Sequence, residues 1–121
     1  MYKKNPERNI FFNVALNILG KGGHSSVPYL TNNPILPGFR LIQIINEKLL
    51  YEFSSFQNVA FFPYYFDAGS TQNIIPDNAV LKFQGECTNI EDKQQLLEIF
   101  TSTVKALENI YHFKTRIVYE K

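Results

Sequence analysis

The stretch that decides the fold is residues 11–28, FFNVALNILGKGGHSSVP. Its first part is apolar at every second position, which is the period-two pattern of a β-strand; these positions are Phe12, Val14, Leu16 and Ile18. The predicted strand ends at Gly20. Residues 21–28 are rich in glycine, serine and lysine and end in proline, so they predict a loop.

The remainder of the chain alternates between helical and strand patterns. Segment 32–34, Asn-Asn-Pro, predicts a helix start, because Asn caps helices and Pro is tolerated in the first turn. A β-branched and aromatic strand follows at 59–66, and Pro63 places it at a sheet edge because proline cannot donate to a ladder. Turn 68–71 precedes a third strand at 79–87, with a β-bulge predicted at Gly85. Asn89 caps a second helix, and residues 114–119 form a last strand.

The order β-α-β-β-α-β predicts the ferredoxin-like α+β sandwich, with two helices on one face of a four-stranded antiparallel sheet. The first and last strands then lie side by side and antiparallel, so the chain enters and leaves at one end, as an inserted domain requires. The strand containing Pro63 has a free, aromatic edge, which predicts a symmetric homodimer. The predicted interface residues are Phe61, Phe62, Tyr64 and Tyr65.

Composition excludes several classes of protein. The chain has 121 residues, 45% of them hydrophobic, which suits one domain with a core. A net charge of +1 argues against a nucleic-acid binder, and no apolar run is long enough to cross a membrane. The single Cys87 cannot form an internal disulfide, which favours a reducing compartment and predicts a cytoplasmic location. We expect Cys87 to be a small strand residue.

Two segments carry the candidate chemistry, the glycine-rich loop 20–28 and the run 73–77, Asn-Ile-Ile-Pro-Asp. His24 and Asn73 present polar groups to a small ligand, and Gly23 lets the backbone approach that ligand closely. Ser25 and Ser26 are interpreted as hydrogen-bonding loop residues, because no base partner follows from the spacing. The loop lacks the Gly-Lys-Ser/Thr end of a P-loop. His112 is interpreted as a structural residue at a helix end.

Taken together and in order, these motifs resemble the dimerisation (lid) domain of the zinc-dependent aminoacylase, carboxypeptidase and amidohydrolase family, from about residue 9 to residue 119. That family includes succinyl-diaminopimelate desuccinylase, acetylornithine deacetylase and hippurate hydrolase relatives. The resemblance implies that residues 9–121 are a lid domain excised from a larger catalytic chain, with 1–8 as a linker or terminal segment. It also implies that two zinc ions lie in the missing catalytic domain; this chain has only the histidines His24 and His112, and no His-x-Asp segment or Glu-Glu pair that could form a dinuclear site.

By the same resemblance, His24 stabilises the oxyanion in the partner subunit's active site, and Asn73 and Gly23 contact the substrate. The implied reaction is cleavage of an amide bond in an N-acyl amino acid or small peptide. Many members carry an arginine about thirteen residues after the asparagine, where this chain has Glu86, with only Lys82 as a nearby positive charge. Because the chain lacks the zinc-binding residues that the resemblance requires, the isolated chain is not expected to be active.

Two alternatives remain open from the residues alone. The same fold serves stand-alone regulatory modules that bind a small molecule at a dimer interface. It also serves RNA-binding modules that use aromatic residues on the open sheet face, which the near-neutral charge and the strand residues Asn13 and Asn17 argue against. A reading frame that continues on both sides into histidine- and aspartate-bearing sequence would favour the lid.

Overall fold

A computed structural model of the chain describes residues 7–54, 56–69 and 72–120. The predicted linker 1–8 and the predicted turn 68–71 fall partly outside these residues. The described elements, in chain order, are β1 (Ile10–Leu19), β2 (Gly23–His24), a 3-10 turn (Pro28–Leu30), α1 (Ile35–Glu52), β3 (Ala60–Asp67), β4 (Ile74–Ile75), β5 (Asn78–Cys87), α2 (Ile90–Tyr111) and β6 (Lys114–Glu120).

The main sheet confirms the predicted ferredoxin-like fold. Its four strands are antiparallel and lie in the order β3-β5-β1-β6. The first and last strands are neighbours, with Asn13 opposite Glu120 and Leu19 opposite Lys114. The start of β1 and the end of β6 therefore lie at one end of the sheet. Strand β3, which contains Pro63, is at an edge as predicted.

The core lies between the sheet and the two helices. Alternate residues of β1 point into it, which explains the period-two pattern of the sequence. Aromatic rings form its centre: Phe61 stacks on Phe83 with centroids 5.0 Å apart, and Phe100 of α2 meets Phe83 edge-on at 5.5 Å. Phe61 is only 3% exposed. The Phe61 side chain therefore packs in the core of its own protomer and cannot contribute to a dimer interface. Of the predicted interface residues, Phe62, Tyr64 and Tyr65 remain.

The predicted bulge at Gly85 is wrong. Gly85 stays in regular register, opposite Phe12 on one side and Phe61 on the other. The irregularity lies instead in β3, where Pro63 and Tyr65 pair with successive residues of β5 and Tyr64 is the extra residue. Gly85 is required for packing, because a Cβ there would lie 2.1 Å from Cζ of Phe12.

Helix ends agree with the sequence signals, with one difference in detail. The Asn89 side chain accepts a hydrogen bond from the Asp92 N–H at 2.8 Å, which is the predicted cap of α2. At α1 the N-cap position is Pro34, and Oδ1 of Asn33 accepts from the Ile35 N–H at 3.1 Å. Asn32 instead donates from Nδ2 to the His112 carbonyl at 3.3 Å, which ties the start of α1 to the end of α2.

Two single residues behave as the sequence suggested. Cys87 is buried at the end of β5 and its thiol donates to the Asn89 carbonyl at 3.4 Å. Burial raises the pKa of this thiol above its usual value. His112 ends α2 in the left-handed conformation, with φ of 59°. Among the described residues, no helix has the length and apolarity needed to cross a membrane.

Candidate functional site

The structure brings the two predicted segments together in a second, two-stranded sheet. Strands β2 and β4 pair antiparallel, with Gly23 opposite Ile75 and His24 opposite Ile74. The pairing continues one step further, where the Ser25 N–H donates to the Asn73 carbonyl at 3.0 Å. We call residues 22–26 and 73–77 the ribbon. The glycine-rich loop and the Asn-Ile-Ile-Pro run are thus one structural unit, although about fifty residues separate them in the chain.

Asp77 fastens the ribbon to the main sheet. Its carbonyl accepts from the Gly20 N–H at 2.7 Å, and its side-chain Oδ1 accepts from the Gly22 N–H at 2.9 Å. On the other side of the loop, Lys21 and Asn32 exchange both backbone hydrogen bonds, at 2.9 and 2.8 Å. The loop is therefore held on two sides immediately before it reaches His24.

Close approach of the backbone explains why residue 22 is glycine. A Cβ at Gly22 would lie 2.4 Å from the Ile75 carbonyl oxygen and 2.8 Å from Oδ1 of Asp77. Both are held in the ribbon, so neither can move without breaking it. Gly23 is different, because its Cβ would meet only the Thr31 methyl group, at 2.9 Å.

His24 is exposed at the tip of the ribbon, and its ring is held from one side by Ser26. The Ser26 N–H donates to Nδ1 of His24 at 3.1 Å, and Oγ of Ser26 lies 2.7 Å from the same nitrogen. A backbone N–H can only donate, so Nδ1 must be an acceptor. We therefore assign the proton of the neutral imidazole to Nε2. The ring presents an N–H donor on the side away from Ser26.

The tight turn that follows His24 makes this contact possible. The Val27 N–H donates to the His24 carbonyl at 3.1 Å, which folds Ser26 back beneath the ring. The 3-10 turn comes next, contacts β2, and exposes two large apolar side chains, Tyr29 at 81% and Leu30 at 56%. The tip of the domain thus combines a hydrogen-bond donor with an exposed apolar surface.

Asn73 is also exposed and lies beside His24 in the ribbon, but one register position away, opposite Ser25. Directly opposed residues share a face of a two-stranded sheet and successive residues alternate. By register, Asn73 therefore does not share the face that His24 shares with Ile74. An open groove lies along the ribbon and is lined by Ser25, Asn33, Gly69, Gln72, Ile74 and Pro76.

Glu86, which stands where the resemblance predicts an arginine, lies far from the ribbon. Glu86 is at the far end of β5, eight residues beyond Asn78, a span of roughly 26 Å for an extended strand. It is fully buried, and its Oε1 lies 3.8 Å from Nη1 of Arg8. Lys82 lies over the Tyr65 ring, 5.1 Å from its centroid. Position 86 therefore cannot act on the same ligand as Asn73 of the same protomer.

The described residues include no group of three or more His, Cys, Asp or Glu side chains arranged to hold a metal ion. Two residues of the site were given too small a role from sequence. Ser26 was interpreted only as a loop residue, and its place two residues after a histidine is the one available signal. Asp77 was quoted as the end of a motif, and its contact with Gly22, fifty-five positions away, has no local signature.

Comparison with known proteins agrees with this fold. Residues 7–112 match the family model described as a peptidase dimerisation domain. A curated relative, succinyl-diaminopimelate desuccinylase from Orientia tsutsugamushi (strain Boryong), is 28% identical over 109 residues. That alignment covers 85% of this chain and 27% of the relative.

Solved structures share the fold at low identity. A protein described as an aminohydrolase from methicillin-resistant Staphylococcus aureus superposes with a TM-score of 0.86 at 22% identity, over 92% of this chain and 30% of that one. A tripeptidase from Staphylococcus aureus superposes with a TM-score of 0.76 at 18% identity, over 91% and 28%. The chain therefore spans less than a third of each of these proteins.

Proposed function

The chain belongs to the peptidase dimerisation domain family, and from this membership we propose that it works as the lid of a longer, dimeric hydrolase. The proposed reaction is hydrolysis of an amide bond in an N-acyl amino acid or small peptide. In this proposal the catalytic residues lie in another part of the protein, and the lid of one subunit completes the active site of its partner.

The observation that carries the proposal is the presentation of His24. Its ring is held by Ser26 at the tip of an anchored ribbon, and its Nε2 proton lies on the side of the ring away from Ser26. When water attacks an amide carbonyl, negative charge develops on the carbonyl oxygen. A donor positioned for that oxygen lowers the barrier, typically by about 3–4 kcal/mol. Nε2 of His24 is such a donor, provided that another surface brings the substrate to it.

Exposure at the tip supports a role toward another surface. His24, Tyr29 and Leu30 are all exposed in the described part of the chain. Two large apolar side chains beside a candidate catalytic histidine are costly to leave in water, and such patches mark interaction sites. We propose that Tyr29 and Leu30 pack near the rim of the partner's active-site cleft, where they help exclude water from the bond being cleaved.

The two free sheet edges differ in a way that favours β3 as the dimer interface. Strand β6 exposes Val118 and Tyr119, but it also exposes Lys114, Arg116 and Glu120, and charged side chains on an edge oppose strand pairing. Strand β3 instead exposes Tyr64 and Tyr65.

Helix α1 extends this apolar surface. Phe39 of α1 is 58% exposed and packs edge-on against Phe66 of β3, with centroids 5.8 Å apart. Because Pro63 and the bulge at Tyr64 interrupt β3, we propose that side chains of β3 and α1 provide more of the contact than a long hydrogen-bonded ladder.

The metal proposed for the hydrolase does not belong to this domain. A zinc site needs three or four His, Cys or carboxylate ligands in close proximity, and the described residues do not provide such a set. We propose, from the resemblance to this family, that two zinc ions lie in the catalytic part of the protein, where they would activate the attacking water. The contribution of this chain is limited to positioning groups, above all the Nε2 donor of His24.

Subunit complementation tests the proposal in the full-length enzyme. One variant carries His24→Ala, and a second has an intact lid but a disabled catalytic domain. Each homodimer is expected to be slow, with turnover of the His24→Ala enzyme reduced on the order of 100-fold or more. In mixed dimers, a His24 acting in trans restores one complete active site, formed by the catalytic domain of the first subunit and the lid of the second.

His112→Asn is the matched control, because it removes the other histidine from an exposed helix end where asparagine tolerates the left-handed conformation. This variant is expected to keep its turnover. Unchanged turnover in the His24→Ala enzyme would remove His24 from the mechanism. Failure of mixed dimers to regain activity would show that His24 acts within its own subunit. The alternative, a stand-alone regulatory module, would be favoured if the reading frame encoded no catalytic domain.

A further inference from the structure

The contact between His24 and Ser26 is more specific than general loop hydrogen bonding. Two groups of one residue converge on one atom: the backbone N–H of Ser26 at 3.1 Å and its hydroxyl oxygen at 2.7 Å from Nδ1. The backbone N–H is present whatever side chain occupies position 26. The hydroxyl is the shorter of the two contacts, and only Ser or Thr supplies it.

The backbone N–H sets the tautomer, and the hydroxyl acts on the orientation of the ring. A histidine ring turns about two side-chain torsions, and the torsion nearest the ring is broad, so one long hydrogen bond allows a wide range of angles. A second donor at 2.7 Å, from a different direction, narrows that range. Because Nδ1 and Nε2 are fixed in one rigid ring, holding Nδ1 also aims the Nε2 proton.

We propose that Ser26 is a positioning residue for His24, and that its hydroxyl fixes the orientation of the imidazole and so aims the Nε2 proton at the reacting carbonyl oxygen. The catalytic consequence rests on the proposed function of His24. The effect of Ser26 on the ring does not, because it concerns two residues of this chain alone. In the open domain water competes for Nδ1, since both residues are exposed. Once the tip is covered, that competition ends and the hydroxyl contact gains importance.

Nuclear magnetic resonance on the 121-residue chain tests the structural half of the proposal. The chain has only two histidines, so His112 serves as an internal reference and a His112→Asn sample assigns the signals. The two ring ¹⁵N shifts report the tautomer, and ring ¹³C–H relaxation reports the order of the imidazole. We expect an ordered, Nε2-protonated His24 in the native chain. Ser26→Ala should increase ring motion, although the backbone N–H of residue 26 still favours the Nε2–H tautomer, whereas Ser26→Thr should keep the native signals.

Ser102→Ala is the control for loss of a serine hydroxyl. Ser102 is an exposed residue of α2 whose hydroxyl donates to the Ile99 carbonyl, outside the ribbon. It should leave the His24 signals unchanged. If Ser26→Ala also leaves the order of the His24 ring unchanged, the hydroxyl does not hold the ring and the proposal is overturned.

Kinetics of the full-length enzyme test the catalytic half. Ser26→Ala is expected to lower kcat by on the order of 10-fold, less than the loss of His24 itself, with little change in KM, because an aimed donor matters most in the transition state. Ser26→Thr should restore most of the rate. In the His24→Ala background, Ser26→Ala should have no further effect, since the residue acts only through the ring.

The rates of the His24→Ala and Ser26→Ala enzymes distinguish the positioning role of Ser26 from the proposed lid function. If His24→Ala is slow but Ser26→Ala is as fast as the native enzyme, or lowers the rate equally with and without His24, the positioning role is wrong and the lid function stands. If His24→Ala keeps full turnover, the proposed function fails. In that case the ring measurements still decide whether Ser26 fixes the imidazole.

Discussion

The steric difference between Gly22 and Gly23 predicts unequal effects of the same substitution at adjacent positions. In Gly22→Ala the new Cβ would lie 2.4 Å from the Ile75 carbonyl oxygen, about 1 Å inside ordinary contact distance. The Ile75 carbonyl belongs to β4 and cannot swing aside. In Gly23→Ala the new methyl meets only the Thr31 Cγ2 at 2.9 Å, and a side-chain methyl can move by the few tenths of an ångström required.

The expected loss of folding stability can be estimated from the hydrogen bonds that Gly22→Ala would break. Separating β2 from β4 removes at least the bond from the Ser25 N–H to the Asn73 carbonyl and the bond from the Gly22 N–H to Asp77. At about 0.5–1.5 kcal/mol each, these give a loss of roughly 1–3 kcal/mol. Both variants gain the same stabilisation from a stiffer unfolded chain, so this contribution cancels when they are compared.

Two measurements check this expectation. Urea unfolding followed by circular dichroism should show Gly22→Ala less stable than Gly23→Ala by about 1–3 kcal/mol. A chain of 121 residues has an unfolding entropy of about 0.25 kcal/mol/K, so each 1 kcal/mol lowers Tm by roughly 4 °C. Amide hydrogen exchange at Ser25 should accelerate in Gly22→Ala, because its acceptor on Asn73 is withdrawn.

Equal stability of the two variants, with unchanged protection of the Ser25 amide, would refute the reasoning that the ribbon depends on close approach at Gly22. A loss of stability without faster exchange at Ser25 would place the damage elsewhere in the fold. In the full-length enzyme, Gly22→Ala should also reduce turnover, because it displaces the β2 residue that carries the imidazole, whereas Gly23→Ala reports how closely a ligand approaches the backbone there.

Two further predictions concern other parts of the domain. Tyr64→Glu on β3 should weaken self-association of the 121-residue chain in sedimentation equilibrium, because like charges would meet across the twofold axis of the dimer. Tyr119→Glu, at a similarly exposed site on β6, is the control and should leave self-association unchanged. The reverse result would place the interface on β6. Burial raises the pKa of the Cys87 thiol in the folded state, so the buried neutral thiol contributes fully to stability below its pKa in the unfolded chain, and this contribution is lost as the pH rises through its pKa in the folded protein. Cys87→Ala should therefore reduce the decline of Tm at alkaline pH. An unchanged decline would contradict this.

The fold was predictable because local and long-range signals agree. The alternation from Phe12 to Ile18 specified a strand with one buried face, and Asn89 specified the start of α2. The bulge was misplaced because the sequence shows only that Gly85 lacks a side chain. The reason for that lack is the ring of Phe12 on the neighbouring strand, which no local pattern reveals.

For the site, the sequence identified the glycine-rich loop 20–28 and the run 73–77 as candidate segments, but only the structure showed that they pair as strands. No short-range sequence pattern indicates that the Asp77 side chain accepts a hydrogen bond from the Gly22 N–H, or that the Ser25 N–H donates one to the Asn73 carbonyl. The aromatic run in β3 was predicted as a single surface, yet Phe61 faces the core while Tyr64 and Tyr65 are exposed. Strand alternation and the bulge after Pro63 decide which rings remain available to a partner.

Because the start of β1 and the end of β6 lie far from His24, a small rotation of the domain about these two strand ends displaces His24 by a larger distance. The start of β1 and the end of β6 lie at one end of the sheet, and the ribbon follows the other end of β1, ten residues or roughly 30 Å away. A pivot of about 5° where the strands leave the sheet would move the tip by roughly 2.6 Å along that arm. Since a misplacement of about 1 Å can cost 100-fold in rate, small rotations at the outer ends of β1 and β6 would change turnover if His24 acts as proposed.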